Sequence, residues 1–312
     1  MSLALVFPGQ GSQSVGMGKA LHDAYPESRD VFAEVDEALG EKLSSLIFQG
    51  PIETLTLTAN AQPALMAVSL ATIRALESEG FSVTDAAYAA GHSLGEYSAL
   101  AATRALTVTD TAKLLRVRGD AMQAAVPEGA GAMAAILGLD MDAVKGICGA
   151  AADGEVCEPA NDNGGGQIVI SGTKAAVERA IALAPERGAK RAIPLPVSAP
   201  FHCALMLPAA ETMAEALKEA NISAPAIPVI SNIAADATTD PEAIRKRLVE
   251  QVTGAVRWNE SMLYAADNGV TDLAEIGAGK VLSGLTRRID KRLSAKPLGT
   301  PDDIATFLKE RV

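Results

Sequence analysis

The sequence predicts an α/β protein built on a parallel sheet, with a smaller βαββαβ unit inserted in its middle. Three observations carry this expectation. Short, continuous apolar runs alternate with longer helical patterns. One such run leads straight into Gly91-His92-Ser93-Leu94-Gly95 and then a helical stretch. Residues 128–198 follow a different order, with two strands adjacent in sequence.

In chain order, the first element is "LALVF" (3–7), an apolar run closed by Pro8-Gly9. A strand buried on both faces reads this way, because neither face alternates to polar. "AAYAA" (86–90), "PVISN" (228–232) and "TDLAEIG" (271–277) are further strands of the same kind. Helical patterns fall between them at 60–80, 111–125, 240–252 and 280–293. The middle reads strand 131–139, helix 140–152, strand 155–161, strand 167–172, helix 174–188 and strand 189–197. That order is ferredoxin-like. Its borders, "VPEGAGA" and "PLPVSAPF", are rich in Gly and Pro. The expected division is therefore 1–127 with 199–312 as one unit and 128–198 as the other.

Bulk properties narrow the function. The 312 residues are 48% hydrophobic and 21% charged, with a net charge of −11. A general nucleic-acid binder needs a basic footprint, which this balance does not give. Cys148, Cys157 and Cys203 form no disulfide framework and no metal-binding spacing, so a reducing, cytoplasmic setting and no metal are expected. The N-terminus lacks the basic start and long apolar run of a signal peptide, and no stretch approaches the ~20 apolar residues of a membrane span.

G-x-S-x-G between a strand and a helix describes a nucleophile elbow, the mark of a hydrolase-like sheet. A tight turn lifts the serine oxygen above the sheet, and flanking glycines remove the clashes such a turn creates. The following helix start leaves N–H groups free, so the Leu94 N–H is placed to hold an oxyanion. The bland alternative is a helix-capping serine among loop glycines. Of three histidines, His22 reads as a surface residue. His92, next to the serine, reads as a structural hydrogen-bonding group. His202, late in the chain, reads as the general base. No acid recommends itself as a third member, and a main-chain carbonyl can orient a histidine as well. "GQGSQS" fails the dinucleotide pattern at Ser14, and "GAGKV" (277–281) lacks the Ser/Thr of a phosphate loop.

Five segments, "VFPGQGSQ", "GHSLGEYSAL", "RVRGDAMQ", "APFHCALM" and "EIGAGKVLSGL", occur in the order found in malonyl-CoA:acyl-carrier-protein transacylases. Nearly the whole chain resembles this family, in its discrete form. The resemblance implies transfer of malonyl from malonyl-CoA to the phosphopantetheine thiol of acyl carrier protein, in fatty-acid synthesis. It implies Ser93 as nucleophile, His202 as base, Arg118 on the malonyl carboxylate and the Gln10 N–H beside that of Leu94 in the oxyanion hole. It also implies Gln251 orienting His202 through its carbonyl. An arginine fork suits carboxylate recognition on chemical grounds, and a buried one rejects neutral acyl groups that leave it unpaired. One thioester replaces another, so no cofactor is expected. A monomer is expected.

Two positions depart from the family pattern. Phe201 stands where many discrete relatives have serine; in the related polyketide domains phenylalanine accompanies malonyl selection. Gly165 replaces a common proline in "NDNGGGQIVISG", which bears on the substrate contact expected of Asn161. The carrier in this pathway is acidic, so a local basic face is needed. Arg287, Arg288, Lys291 and Arg292 offer one, and Lys190 with Arg191 another, although charge runs are often only solvated faces. Readings from other classes are a serine hydrolase or thioesterase, which needs no Arg118, and a carrier-docking protein that is never acylated.

Overall fold

A computed structural model describes residues 2–311. Among the described residues ten strands form two sheets: β1 (Ser2–Phe7), β2 (Tyr88–Gly91), β3 (Gly131–Leu137), β4 (Cys157–Asp162), β5 (Gln167–Thr173), β6 (Arg191–Pro194), β7 (Val229–Ile230), β8 (Ala237–Thr238), β9 (Val270–Ile276) and β10 (Ser294–Leu298). The large sheet runs β10-β9-β1-β2-β7-β8. Its pairs are parallel except at the edge, where β8 turns back antiparallel on β7.

Strand β1 shows why its run is apolar throughout. Leu3, Leu5 and Phe7 face one core cluster, while Ala4 and Val6 face a second on the opposite side. Both faces are covered, so no position can be polar. Helix 58–78 is buried over most of its circumference, including Leu65, Met66, Leu70 and Ile73. A helix apolar all round belongs inside a layered core. It packs against helix 108–124. Gly119 stands in that contact, where a Cβ would lie 2.5 Å from the Ala59 Cα. That close approach carries the neighbouring Arg118 into the interior.

The small sheet runs β4-β5-β3-β6, all antiparallel, with helices 141–152 and 174–183 on one face. Ala134, Ile136, Ile168 and Ile170 pack against those helices, and Met133, Ala135 and Val169 point the other way, into the main core. The ferredoxin-like order is present between residues 131 and 194. The end of β4 is stitched to the rest of the chain at Val256, whose N–H donates to Ala160 O at 2.8 Å and whose carbonyl accepts from Asp162 N at 2.9 Å.

Some elements differ from expectation. The helix expected over 280–293 ends at Ile289, and β10 begins at Ser294. Lys296 and Pro297 hide that strand, since an edge strand tolerates both. Among the described residues no helix is long and apolar enough to cross a membrane.

Candidate active site

The site lies where β2 ends. Ser93 has φ +55°, the left-handed region that a side chain rarely enters. Such a residue costs about 1–3 kcal/mol and persists only where its surroundings fix it. The fixing is visible. A Cβ on Gly91 would lie 1.9 Å from the Gly95 carbonyl carbon, and one on Gly95 would lie 2.3 Å from Phe7 O. The turn therefore closes only with glycine at both positions. Asn232, just past β7, completes the clamp: its Oδ1 accepts from Ser93 N at 2.7 Å and its Nδ2 donates to Gly91 O at 2.6 Å.

His202 also has a positive φ, +59°. Its Nε2 lies 2.7 Å from Ser93 Oγ. Its Nδ1 faces two main-chain carbonyls, Gln251 O at 2.9 Å and Gly254 O at 3.2 Å. Two carbonyl acceptors place the proton on Nδ1, which leaves Nε2 a lone pair for the serine hydroxyl. Burial first, and the Arg118 charge second, push the His202 pKa down to about 3. The imidazole is thus neutral at neutral pH, with its Nε2 lone pair free, and its environment weakens it as a base.

Arg118 is only 1% exposed. Its Nη2 donates to Ser93 Oγ at 3.2 Å and to Gln251 Oε1 at 2.9 Å, and its Nη1 donates to Gln62 Oε1 at 2.7 Å. Among the described residues all these acceptors are neutral. A buried guanidinium with no anion in hydrogen-bond contact is costly, Glu96 acting on it only across Gln251, and the arrangement suits one that a ligand completes. From Gln62 the hydrogen bonds continue to Thr58 Oγ1 at 2.9 Å and on to Gln10 Oε1 at 3.0 Å. The loop bearing Gln10 crosses close above the elbow: a Cβ on Gly9 would lie 2.7 Å from His92 O. Neither the Gln10 N–H nor the Leu94 N–H donates to a partner among the described residues.

These groups open into a cavity of about 560 Å³ whose lining includes Gln10, Ser93, Arg118, Asn161, Phe201 and His202. Leu94 lines it too, as do Met133 and Val169 of the small sheet. Among the described residues there is no group of three or more metal-ligating side chains.

The chain matches the acyl transferase domain family over residues 4–292. It belongs to that family. It is 49% identical over 303 residues to the malonyl CoA-acyl carrier protein transacylase of Bacillus subtilis, covering 97% of this chain and 95% of that protein. The acyl-carrier-protein-S-malonyltransferase of Bartonella henselae superposes with a TM-score of 0.97 at 56% identity, with 99% of each chain covered. A malonyl-transacylase solved in complex with a type II PKS acyl-carrier protein superposes at 0.96 with 44% identity, covering 99% of this chain and 100% of that one.

Within this acyl transferase fold, Ser93, His202, Arg118 and the Gln251 carbonyl meet at one point. His92 makes no hydrogen bond to Ser93 Oγ among the described residues. Its Nε2 lies 3.0 Å from Asn163 Oδ1 and 3.5 Å from Asn161 Nδ2, so Asn161 reaches the site through His92 as well as from the cavity wall. His22 sits apart, against the rings of Phe32 and Phe48.

Sequence reasoning missed four polar residues: Gln62, Glu96, Asn163 and Asn232. Glu96 is 3% exposed, and burial pushes its pKa up to about 7 against hydrogen bonds from Asn232 and Gln251. One signal was available for it. Glu96 is the sole charge in helix 95–102, every residue of which is buried.

The expected basic residues behave unequally. Arg292 is engaged by Asp290 at 2.6 Å and Asp267 at 2.8 Å. Arg288 packs on Gly165, where a Cβ would meet its Cβ at 2.7 Å, and the Lys190 stem packs in the same way on Gly138. Gly138 N donates to Gly166 O at 2.7 Å. Two runs distant in sequence therefore flank one glycine loop, 164–166.

Proposed function

We infer that this chain transfers a malonyl group from malonyl-CoA to the phosphopantetheine thiol of acyl carrier protein, through a malonyl ester on Ser93. The observation that carries the reading is Arg118. It is a buried cation held by neutral groups, 3.2 Å from the serine oxygen, in a cavity large enough for a short acyl chain.

The chemistry follows from the geometry. Ser93 Oγ attacks the thioester carbonyl while His202 Nε2 takes its proton. The Gln10 and Leu94 N–H groups hold the oxyanion. The intermediate collapses, the C–S bond breaks, and the coenzyme A thiolate takes the proton from His202. The carrier thiol then gives its proton to His202 and attacks the ester carbonyl. Ser93 Oγ leaves, recovers the proton, and the enzyme is restored. Arg118 pairs with the free malonyl carboxylate throughout, and the Gln251 carbonyl keeps His202 in its working tautomer. Phe201 and Asn161 shape the acyl pocket. The groups all come from one chain, which supports a single copy as the working unit. The two units expected from the sequence, 1–127 with 199–312 and 128–198, then serve as the chemical wall and the opposite wall of one cavity.

Arg287, Arg288, Lys291, Lys190 and Arg191 are all exposed, and together they form the face offered to the acidic carrier. Arg292, already paired, contributes little. Lys190→Ala with Arg287→Ala is expected to raise the carrier KM several-fold at low salt, an effect of long-range charge that added salt removes. An unchanged carrier KM would place the carrier elsewhere.

The deciding measurement is intact-protein mass spectrometry after brief exposure to malonyl-CoA. One malonyl adduct is expected on the wild type and none on Ser93→Ala, and added carrier protein should remove it. Arg118→Ala should lose malonyl loading while keeping acetyl loading. Free malonate without a transferable adduct would mean a hydrolase instead.

A further inference from the structure

We propose that Glu96 is a positioning residue for acyl transfer, whose buried carboxylate fixes the Gln251 side-chain amide so that its oxygen faces Arg118. The inference rests on Arg118 being the clamp for the acyl carboxylate.

Glu96 Oε2 accepts two hydrogen bonds, from Gln251 Nε2 at 2.7 Å and from Asn232 N at 3.0 Å. Gln251 Nε2 also donates to Ser93 O at 3.1 Å, and Gln251 Oε1 accepts from Arg118 Nη2 at 2.9 Å. A primary amide has one accepting end and one donating end. Turned over, it would point its NH2 at a guanidinium, which repels, and its oxygen at Glu96, which repels wherever that carboxyl is ionised. With Glu96 on one side and Arg118 on the other, one orientation remains.

The same carboxylate holds Asn232, the residue that clamps Ser93 N and Gly91 O. Glu96 thus sits beneath both the elbow and the clamp. It does not line the cavity, so it acts through Gln251 and Asn232 and not on substrate. Gln251 in turn serves two partners by two routes, Arg118 through its side chain and His202 through its main chain. Loosening the amide should therefore disturb recognition of the acyl carboxylate before it disturbs the base.

The test compares the malonyl-to-acetyl loading ratio in wild type, Glu96→Met and Glu96→Gln, read as adducts on Ser93 in the soluble, folded protein. Methionine keeps the length and removes the acceptor; the ratio should fall about tenfold or more, the scale of a lost buried hydrogen bond. Glutamine can keep an oxygen where Oε2 stood, because two donors converge there, and should restore the ratio to within about threefold. A purely structural role would lower the yield of folded protein and leave the ratio unchanged, and that result would overturn the proposal. So would Glu96→Gln falling as far as Glu96→Met. If Glu96→Met does not fold, Gln251→Met tests the same link, keeping the carbonyl to His202. An unchanged ratio there would again overturn it. Failure of the wild type itself to load malonyl would instead refute the transacylase reading.

Discussion

Behind the two walls of the cavity, next to the lining residues Ser93 and Leu94 on one side and Asn163 and Gln167 on the other, glycines are used in opposite ways. At the elbow, Gly91 and Gly95 are pressed against main-chain atoms of their own turn and of β1. In loop 164–166, three consecutive glycines have φ of +77°, +59° and +71°, and the nearest atoms to Gly164 and Gly165 are the side chains of Ile289 and Arg288. Main-chain atoms of the turn itself cannot yield, whereas the Ile289 branch and the Arg288 Cβ can give by small shifts of the helix that carries them. The elbow is thus over-determined, as a strained nucleophile requires. The loop is held instead by a neighbouring helix, between the cavity-lining residues Asn163 and Gln167.

Breaking the rigid side should have the largest effect. Gly91→Ala drives a methyl into the Gly95 carbonyl, and a loss of more than about 4 kcal/mol is expected, seen as failure to fold or a collapsed melting transition. A stable, soluble Gly91→Ala protein would show that the elbow can relax.

His202→Ala keeps the fold and removes the proton acceptor. The rate of Ser93 acylation, followed by rapid-quench mass spectrometry, should fall about a hundred- to ten-thousandfold. A smaller loss would mean that another group takes the serine proton.

The pH dependence of stability sharpens the contrast within the rigid side. His202 is held down from 6.5 to about 3, so between those values the unfolded chain binds the proton and the folded one does not. Its contribution is complete above pH 6.5 and is lost as pH falls. Glu96 is raised from 4.5 to about 7, so the folded chain keeps a proton that the unfolded chain gives up. Its contribution is complete below pH 4.5 and is lost as pH rises. The two slopes oppose one another from about pH 4.5 to 6.5, each up to about 1.4 kcal/mol per pH unit. Glu96→Gln removes one of them, so its melting temperature should climb with pH across that window more steeply than that of the wild type. Parallel curves would show that Glu96 does not titrate there.

The loop side should respond least. Gly165→Ala places a methyl in a left-handed conformation against the Arg288 Cβ and should cost about 1–3 kcal/mol. Thermal denaturation measures it, and a loss as large as that of Gly91→Ala would erase the distinction between the two walls.

Much of this was legible in the sequence because it rests on local pattern. The "LALVF" strand, the elbow and the βαββαβ order each follow from spacing or from which neighbours are apolar. Ser93 and His202 are marked by residue type and context. The supporting network was not legible. Asn232 lies 139 positions from Ser93, and Gln62 lies 56 from Arg118, with nothing local to set either apart from an ordinary polar residue. Gln251 and the Gln10 N–H reached the expected site only through resemblance, since no side-chain chemistry advertises a main-chain carbonyl or amide. Strand β8 is two residues long and leaves no periodic trace.

The buried Arg118 charge has a consequence for the timing of the reaction. Burial first, and the Arg118 charge second, weaken His202 as a base. On the proposed reading, an acyl carboxylate paired with Arg118 offsets the second of these, and the imidazole regains part of its affinity for a proton when a thiol must be activated. A neutral acyl group brings no such compensation and leaves the base suppressed. The cargo would then switch on its own onward transfer, and selection would act on release as well as on loading.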